Sequence, residues 1–402
     1  MKFSAKQKTF TFLIFFGIYG LTYAESYWIA PRLEAKTETG SYNAPYASIE
    51  KALQRHGGGN IYIFKPGIYT GQINLKSEYK GAPQNPTVLK SEQKDKAILH
   101  GSAGHNLYIL EGADWVIIDG FEVRCAAIDG LKTNANYTVF RNCWVHHNCE
   151  VGIAAFGVQN VVIERNLVEF NGSHIQFTHG IYANSQNITI RENIVRFNAS
   201  HGIHLYPNVS ESLVENNLVY GNTRSGVLIY CLPGGSNNKI INNTIVDNGY
   251  GIYIKDGKGE VIVNNIISGN TRWRYGVSNS AIDLTNTDIK NIKIENNLIY
   301  PKAALSDANN IYVDPQFINP EKGVFFLRLD SPAIKKGSLK YMTKCDFWGR
   351  KRPDNIQPDI GCFSYDGILL KEEYRKNWYY GWPFFFNEGT GPLPDLWADT
   401  NR

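Results

Sequence analysis

The chain has 402 residues, 41 basic and 37 acidic side chains and nine histidines, for a formal charge of +4. Three of the basic residues fall in the first eight positions, so the rest is near neutral (41 − 3 = 38 against 37). Nothing in that balance suggests nucleic acid, which would want a basic patch, and the length could hold more than one ordinary domain, a limit that a repeat array escapes.

Lys2, Lys6 and Lys8 precede an apolar stretch from Phe10 to Leu21, and Thr22-Tyr23-Ala24 closes it with a small residue. Residues 1–24 therefore read as a signal peptide, too short to span a bilayer comfortably, with a retained anchor helix as the alternative. Its removal would leave a secreted or periplasmic protein with no membrane attachment. Residues 25–110 form an N-terminal cap and the first coils. Tyr27-Trp28-Ile29 is a short strand. Residues 44–59 form an amphipathic helix with Ser48 as candidate N-cap and Gly57 to Gly59 as its end. Strands follow over 60–75, 86–91, 97–101 and 106–110. An open stack of coils exposes its first edge, and the helix is placed to cover it.

Residues 111–300 carry a repeat. Eight apolar-Asn-apolar phrases align Gly120, Asn142, Asn166, Asn193, Asn217, Asn243, Asn265 and Asn297 at spacings of 22 to 32 residues. A β-branched, Asn-rich unit of that period predicts stacked coils, with residues one coil apart about 4.8 Å apart on adjacent parallel strands. The fold class is all-β, a single-stranded right-handed parallel β-helix. The aligned Asn side chains would form a hydrogen-bonded ladder along the stack. Six sequons, at Asn136, Asn171, Asn187, Asn198, Asn208 and Asn242, arise in any Asn-rich chain and argue little for glycosylation.

In most coils a second phrase follows the aligned position by about ten residues, as in HGIYAN (179–184), HGIHLY (201–206), SGVLIY (225–230) and YGIYIK (250–255). Alternation points Ile181/Ala183, Ile203/Leu205, Val227/Ile229 and Ile252/Ile254 inward. Two outward columns result: Lys132, Ala154, Tyr182, His204, Leu228, Tyr253, and beside it Asn134, Phe156, Asn184, Tyr206, Tyr230, Lys255. Of six cysteines, Cys345 and Cys362 are the favoured disulfide pair, while Cys125 and Cys143, about one coil apart, would bridge or stack as buried thiols. Residues 301–402 hold the last coils, a closing segment of Pro- and Gly-punctuated strands, and from Gly367 an aromatic tail predicted to lie against the coils or cap their end.

APYASIEKAL, IYIFKPGIYTGQI, NPTVLKSEQKDKAILHGS and WVIIDGFEV, with DPQF, SPAIKKG and PDIGCF near the end, resemble secreted right-handed β-helix proteins of the pectate-lyase-like superfamily. The opening is similar to that of family 9 pectate lyases. The resemblance covers about Tyr27 to Tyr365. It implies the fold directly, and a polysaccharide lyase, epimerase, glycosidase or non-catalytic glycan binder less directly. In family 9 it implies a Lys base beside calcium held by clustered Asp. Here Asp114, Asp119 and Asp129 lie near the start, and the columns from 150 to 255 carry no carboxylate. No cofactor is therefore predicted, with calcium left as a possibility.

The outward columns carry the functional signal. Four Tyr on one strip suit stacking against pyranose rings, though Tyr packed under a covering loop would look the same. Six of nine His (146, 147, 174, 179, 201 and 204) fall in three successive coils, and the connection from Asn166 to Gly180 is 14 residues against 8 to 10 elsewhere. A cleft wall would have this character, as would a zinc site. Elimination from a uronic-acid polymer needs a base, a cation for the carboxylate and an acid for the leaving oxygen. The catalytic set is His204 as base, with His179, Lys255 and Arg224. The substrate-binding set is Tyr182, Tyr206, Tyr230, Tyr253 and His201. No metal ligands are assigned. The expected partner is an acidic polysaccharide and the expected state a monomer. Hydrolysis ranks lower because the strip lacks paired carboxylates. A binding-only or structural solenoid is the alternative from a different class.

Overall fold

The computed structural model describes residues 24–32, 36–174, 177–232, 235–271, 281–287, 289–301 and 309–365. The predicted signal peptide, up to residue 23, and the predicted capping tail from Gly367 lie outside these residues. Each coil makes three short strands separated by bends. Ile61–Phe64, Gly67–Thr70 and Ile73–Leu75 already complete one coil within the stretch that reads as continuous strand. Stacked, the strands form parallel sheets of 11, 10 and 9 strands, so the chain is a right-handed parallel β-helix. β-branched residues fill its interior, where Ile181, Ala183, Ile203, Leu205, Val227, Ile229, Ile252 and Ile254 are all fully buried.

The N-terminal helix spans Ile49–His56. Ser48 caps it, its hydroxyl accepting from Lys51 N at 3.3 Å, and Gly57 ends it at φ +74. Ile49, Ala52 and Leu53 face the first coil, which joins Ser26–Ile29 to Ile61–Phe64.

The Asn ladder is present, one residue out of the expected register at its start. Val139 pairs with Val162 and Arg141 with Glu164, so Cys143, not Asn142, stands opposite Asn166. Cys143 N donates to Asn166 Oδ1 at 3.0 Å, and the chain of amides runs on through Asn193, Asn217, Asn243, Asn265 and Asn297 to Asn310. Gly120 and Asn142 occupy the preceding position, which is left-handed in every coil of the run (Asn142 φ 56, Arg165 φ 56, Asn216 φ 51). Asn tolerates that conformation, so two adjacent Asn-rich positions look alike in sequence. A second ladder links Asn148, Asn171, Asn198, Asn222, Asn248 and Asn270 at the next bend.

The left-handed Asn residues point outward and hold the closing segment. Asn216 Nδ2 donates to Cys345 O, Asn242 to Asp359 O and Gly361 O, Asn264 to Ser338 O and Asn296 to Lys336 O. This segment, including the hairpin Phe317–Asn319 with Val324–Leu327, packs along the flank of the 10-stranded sheet. Phe325, Phe347 and Phe363 lie there over Leu167, Ile194, Leu218 and Ile266. The Cys345–Cys362 bridge is not formed. Both thiols are free, and Cys362 is buried where its N–H meets Thr244 Oγ1 at 3.1 Å. Cys125 and Cys143 are free too, because Cys125 sits at a left-handed outer bend while Cys143 faces inward at the ladder. We expect all six cysteines to react with a thiol reagent in denaturant without reductant, and four or fewer would contradict this arrangement.

Burial also decides among the sequons. Asn171, Asn198 and Asn242 are fully enclosed, with their amides engaged. Expressed through a glycosylating pathway, the protein is expected to carry no glycan at these three positions, which peptide mass mapping would check.

Candidate functional site

The nine-stranded sheet has the longest strands, and its outer face carries the predicted columns in register. Lys132 stands beside Ala154, Ala154 beside Tyr182, Tyr182 beside His204, His204 beside Leu228 and Leu228 beside Tyr253. Glycine opens each strand where the chain crosses the second Asn ladder. A Cβ on Gly202 would lie 2.8 Å from Asn222 Nδ2, Gly226 O and Val219 Cγ1. A side chain has no room there, between the buried His201 and the outward-facing His204.

The rings form one continuous row. Phe156 meets Tyr182 at 4.9 Å between centroids, Tyr182 meets His204 at 4.9 Å, His204 meets Tyr206 at 5.7 Å and Tyr206 meets Tyr230 at 4.9 Å. Lys255 Nζ lies 4.4 Å above the Tyr230 ring. Its hydrogen bond to Tyr230 raises its pKa, so it is an ammonium and not a base. Burial pushes the Tyr182 hydroxyl up to about 12, keeping its proton in place. Tyr253 stands apart from this row and stacks on Tyr250 at 6.1 Å.

Three imidazoles converge beneath the row. His204 Nδ1 and His179 Nε2 are 3.0 Å apart, and the His201 ring lies 5.2 Å from His179 and 5.1 Å from His204. Ser225 N–H donates to His201 Nδ1 at 3.1 Å, which places the His201 proton on Nε2. Burial first, then the Arg224 charge, drives His179 down to about 3. Burial also holds His201 and His204 well below 6.5, with the neighbouring imidazoles and Arg224 adding to it. All three are therefore neutral at pH 7. Among the described residues, His179 Nδ1 and His204 Nε2 are buried with no hydrogen-bond partner.

These histidines couple folding to pH. The unfolded chain protonates them near pH 6.5, whereas the folded chain resists to lower pH, to about 3 for His179. Their contribution is full above about pH 6.5 and is lost as pH falls towards the folded values. Thermal midpoints are expected to drop between about pH 7 and pH 5, and less steeply in His201→Gln. A flat profile for the native chain would contradict neutral burial.

Not all of the clustered histidines belong here. His146 lies on the 10-stranded sheet, 3.4 Å from Glu122 Oε1, and His147 stacks on Phe170 at 5.4 Å. Closeness in coil number does not set which of three faces a side chain takes. His174 lines a recess with Cys149, Ser173, Phe177 and Thr178. Arg224 is half-buried, and its charge acts on the imidazoles and on Tyr250 and Tyr253.

The column also extends beyond its predicted ends. Asp283 follows Tyr253, thirty residues on, where a long insertion hides the repeat. Tyr108 and Asn74 precede Lys132 at the other end. Among the described residues, no three His, Cys, Asp or Glu side chains are arranged to hold a metal ion. The clustered Asp that the resemblance to family 9 lyases implies for calcium is not found among the described residues.

The chain belongs to the right-handed β-helix family (right handed beta helix region), matched over residues 94–233 and over 127–299. Among solved structures it is similar to pectate lyase Pel9A, at 16% identity and a TM-score of 0.61, covering 86% of this chain and 98% of that one. It is also similar to XylC in complex with xylose, at 11% identity and a TM-score of 0.56, covering 85% and 98%. No curated protein matches the sequence. Likeness at these identities shows the fold. Among the described residues no helix is long and apolar enough to cross a membrane.

Proposed function

We propose that the protein is an exported, monomeric polysaccharide lyase that cleaves a uronic-acid-containing chain by β-elimination. The observation that carries this reading is the pair of orphaned imidazole nitrogens beneath the Tyr row, since buried polar atoms without partners concentrate where a ligand or reaction uses them. When His204 Nδ1–H donates to His179 Nε2, His204 Nε2 presents a lone pair. In that tautomer it can take the proton α to the carboxylate. The electrons move into the carboxylate, and Arg224, whose charge already reaches the imidazoles, opposes the enolate charge. The bond to the leaving oxygen breaks as the ring double bond forms, and Tyr206 or Tyr230 returns a proton to that oxygen. Lys255, two coils beyond His204, holds a neighbouring carboxylate. Because His204 Nε2 is covered, the reading entails that a ring of the row swings aside when the saccharide docks.

That same cover favours the second reading, a glycan-binding protein without turnover. Similarity to a pectate lyase supports the first reading, and similarity to a xylose-bound protein is neutral between them. Incubating the purified protein with a panel of polyuronates and glycosaminoglycans, and following ultraviolet absorbance, separates the two. New unsaturated ends establish elimination. Silence across the panel, with the protein retained on a glycan column, establishes binding alone.

A further inference from the structure

We propose that Lys132 is a second carboxylate-docking point on the same strip, so that the protein grips an acidic polysaccharide running along the helix axis on both sides of His204. The naming of the polymer rests on the function proposed above; the docking point itself rests on separate geometry. Lys132 stands in the His204 column three coils before it, roughly 14 Å away at the spacing of parallel strands. Its ammonium sits between two rings, 5.1 Å from the Tyr108 centroid and 5.3 Å from that of Phe156. Phe156 is also the first ring of the row leading to His204.

Behind the ammonium lie the buried His105 and Asp129. Asp129 Oδ2 is 3.3 Å from His105 Nδ1, and Asp129 Oδ1 accepts from Val151 N–H at 3.1 Å. Asp129 N–H donates to His105 Nδ1 at 3.3 Å, and His105 Nε2 lies 3.5 Å from Lys132 Nζ. Among the described residues no acidic side chain pairs with the Lys132 ammonium. The two rings thus hold the cation on the outer face without an acidic partner. A carboxylate brought by a ligand supplies what is missing. Lys255, five coils from Lys132, provides a second such cation at the far end, roughly 24 Å away. A ligand spanning both must be a chain of several sugars with its acid groups along one edge.

Lys132→Met keeps the stem between the two rings and removes only the charge, and Lys132→Arg keeps the charge. Retention of each variant would be measured by affinity electrophoresis in gels containing a polyuronate, or the same polymer as its neutral methyl ester. K132M is expected to bind the polyuronate roughly tenfold more weakly than the native protein, a loss of one charge-assisted contact. K132R should stay within about twofold, and all three should bind the methyl ester alike. Should K132M melt early, Lys132→Gln carries the same comparison. Equal binding of the polyuronate by K132M and native protein would overturn the assignment, as would an equal loss on the methyl ester or no retention of the native chain. Native protein that binds through Lys132 but releases no unsaturated ends sinks the lyase reading and leaves the docking point standing.

Discussion

His204→Gln is expected to lower the rate of unsaturated-end formation by about 10²- to 10⁴-fold, the range that loss of a positioned general base costs. Gln keeps much of the imidazole's volume and a donor towards His179 Nε2, so the coil should fold, as its circular dichroism would show. Because the lost step is proton abstraction, kcat should fall while KM changes little. The control is His146→Gln, on the 10-stranded sheet and away from the Tyr row, which should leave the rate unchanged. Equal losses in the two variants would remove His204 from the chemistry. The acid limb of the native rate profile should also lie well below pH 6.5, since burial keeps His204 in its neutral, proton-accepting form into acid.

The second large effect concerns the scaffold. Asn217→Ala is expected to cost about 3–5 kcal/mol, read as a shift of the urea midpoint. Asn217 Nδ2 donates to Ile190 O at 2.8 Å, Glu215 O at 3.0 Å and Asn243 Oδ1 at 3.0 Å. Its Oδ1 accepts from both Asn193 N and Asn193 Nδ2 at 3.0 Å. Alanine strands several of these groups inside the coil, where an unmet partner costs more than the bond itself gained. Lys239→Ala, exposed on the next coil, should change stability by no more than about 0.5 kcal/mol. A ladder substitution as mild as the surface one would mean that the amides contribute little to the stack.

Much of this architecture was legible in the chain because a solenoid converts period into neighbourhood. Alternation with period two assigned Ile203 and Leu205 inward and His204 outward, and the parallel register then aligned His204 with Tyr182 and Leu228. Three things escaped. The ladder register slipped at Asn142 because Asn suits both the left-handed bend and the ladder. Asp283 was hidden because its coil carries an insertion that breaks the spacing, although its pairing with Tyr253 is direct. The histidines at 146 and 147 were grouped with the site because a coil has three faces and repeat counting assigns only the coil. The second ladder had a readable signal, Asn five residues after Asn166, Asn193, Asn217, Asn243 and Asn265. The reach of Lys132 to His105 had none, since it depends on where long side chains settle between rings.

Binding to one face underlies every functional statement made for this chain. Crystals soaked with a uronate oligomer offer the sharpest check. Sugar density should run lengthwise over the nine-stranded sheet, resting on Tyr182, Tyr206 and Tyr230, with acid groups at Lys132 and Lys255. Density seated instead against the closing segment or the 10-stranded sheet, with the Tyr row bare, would contradict it.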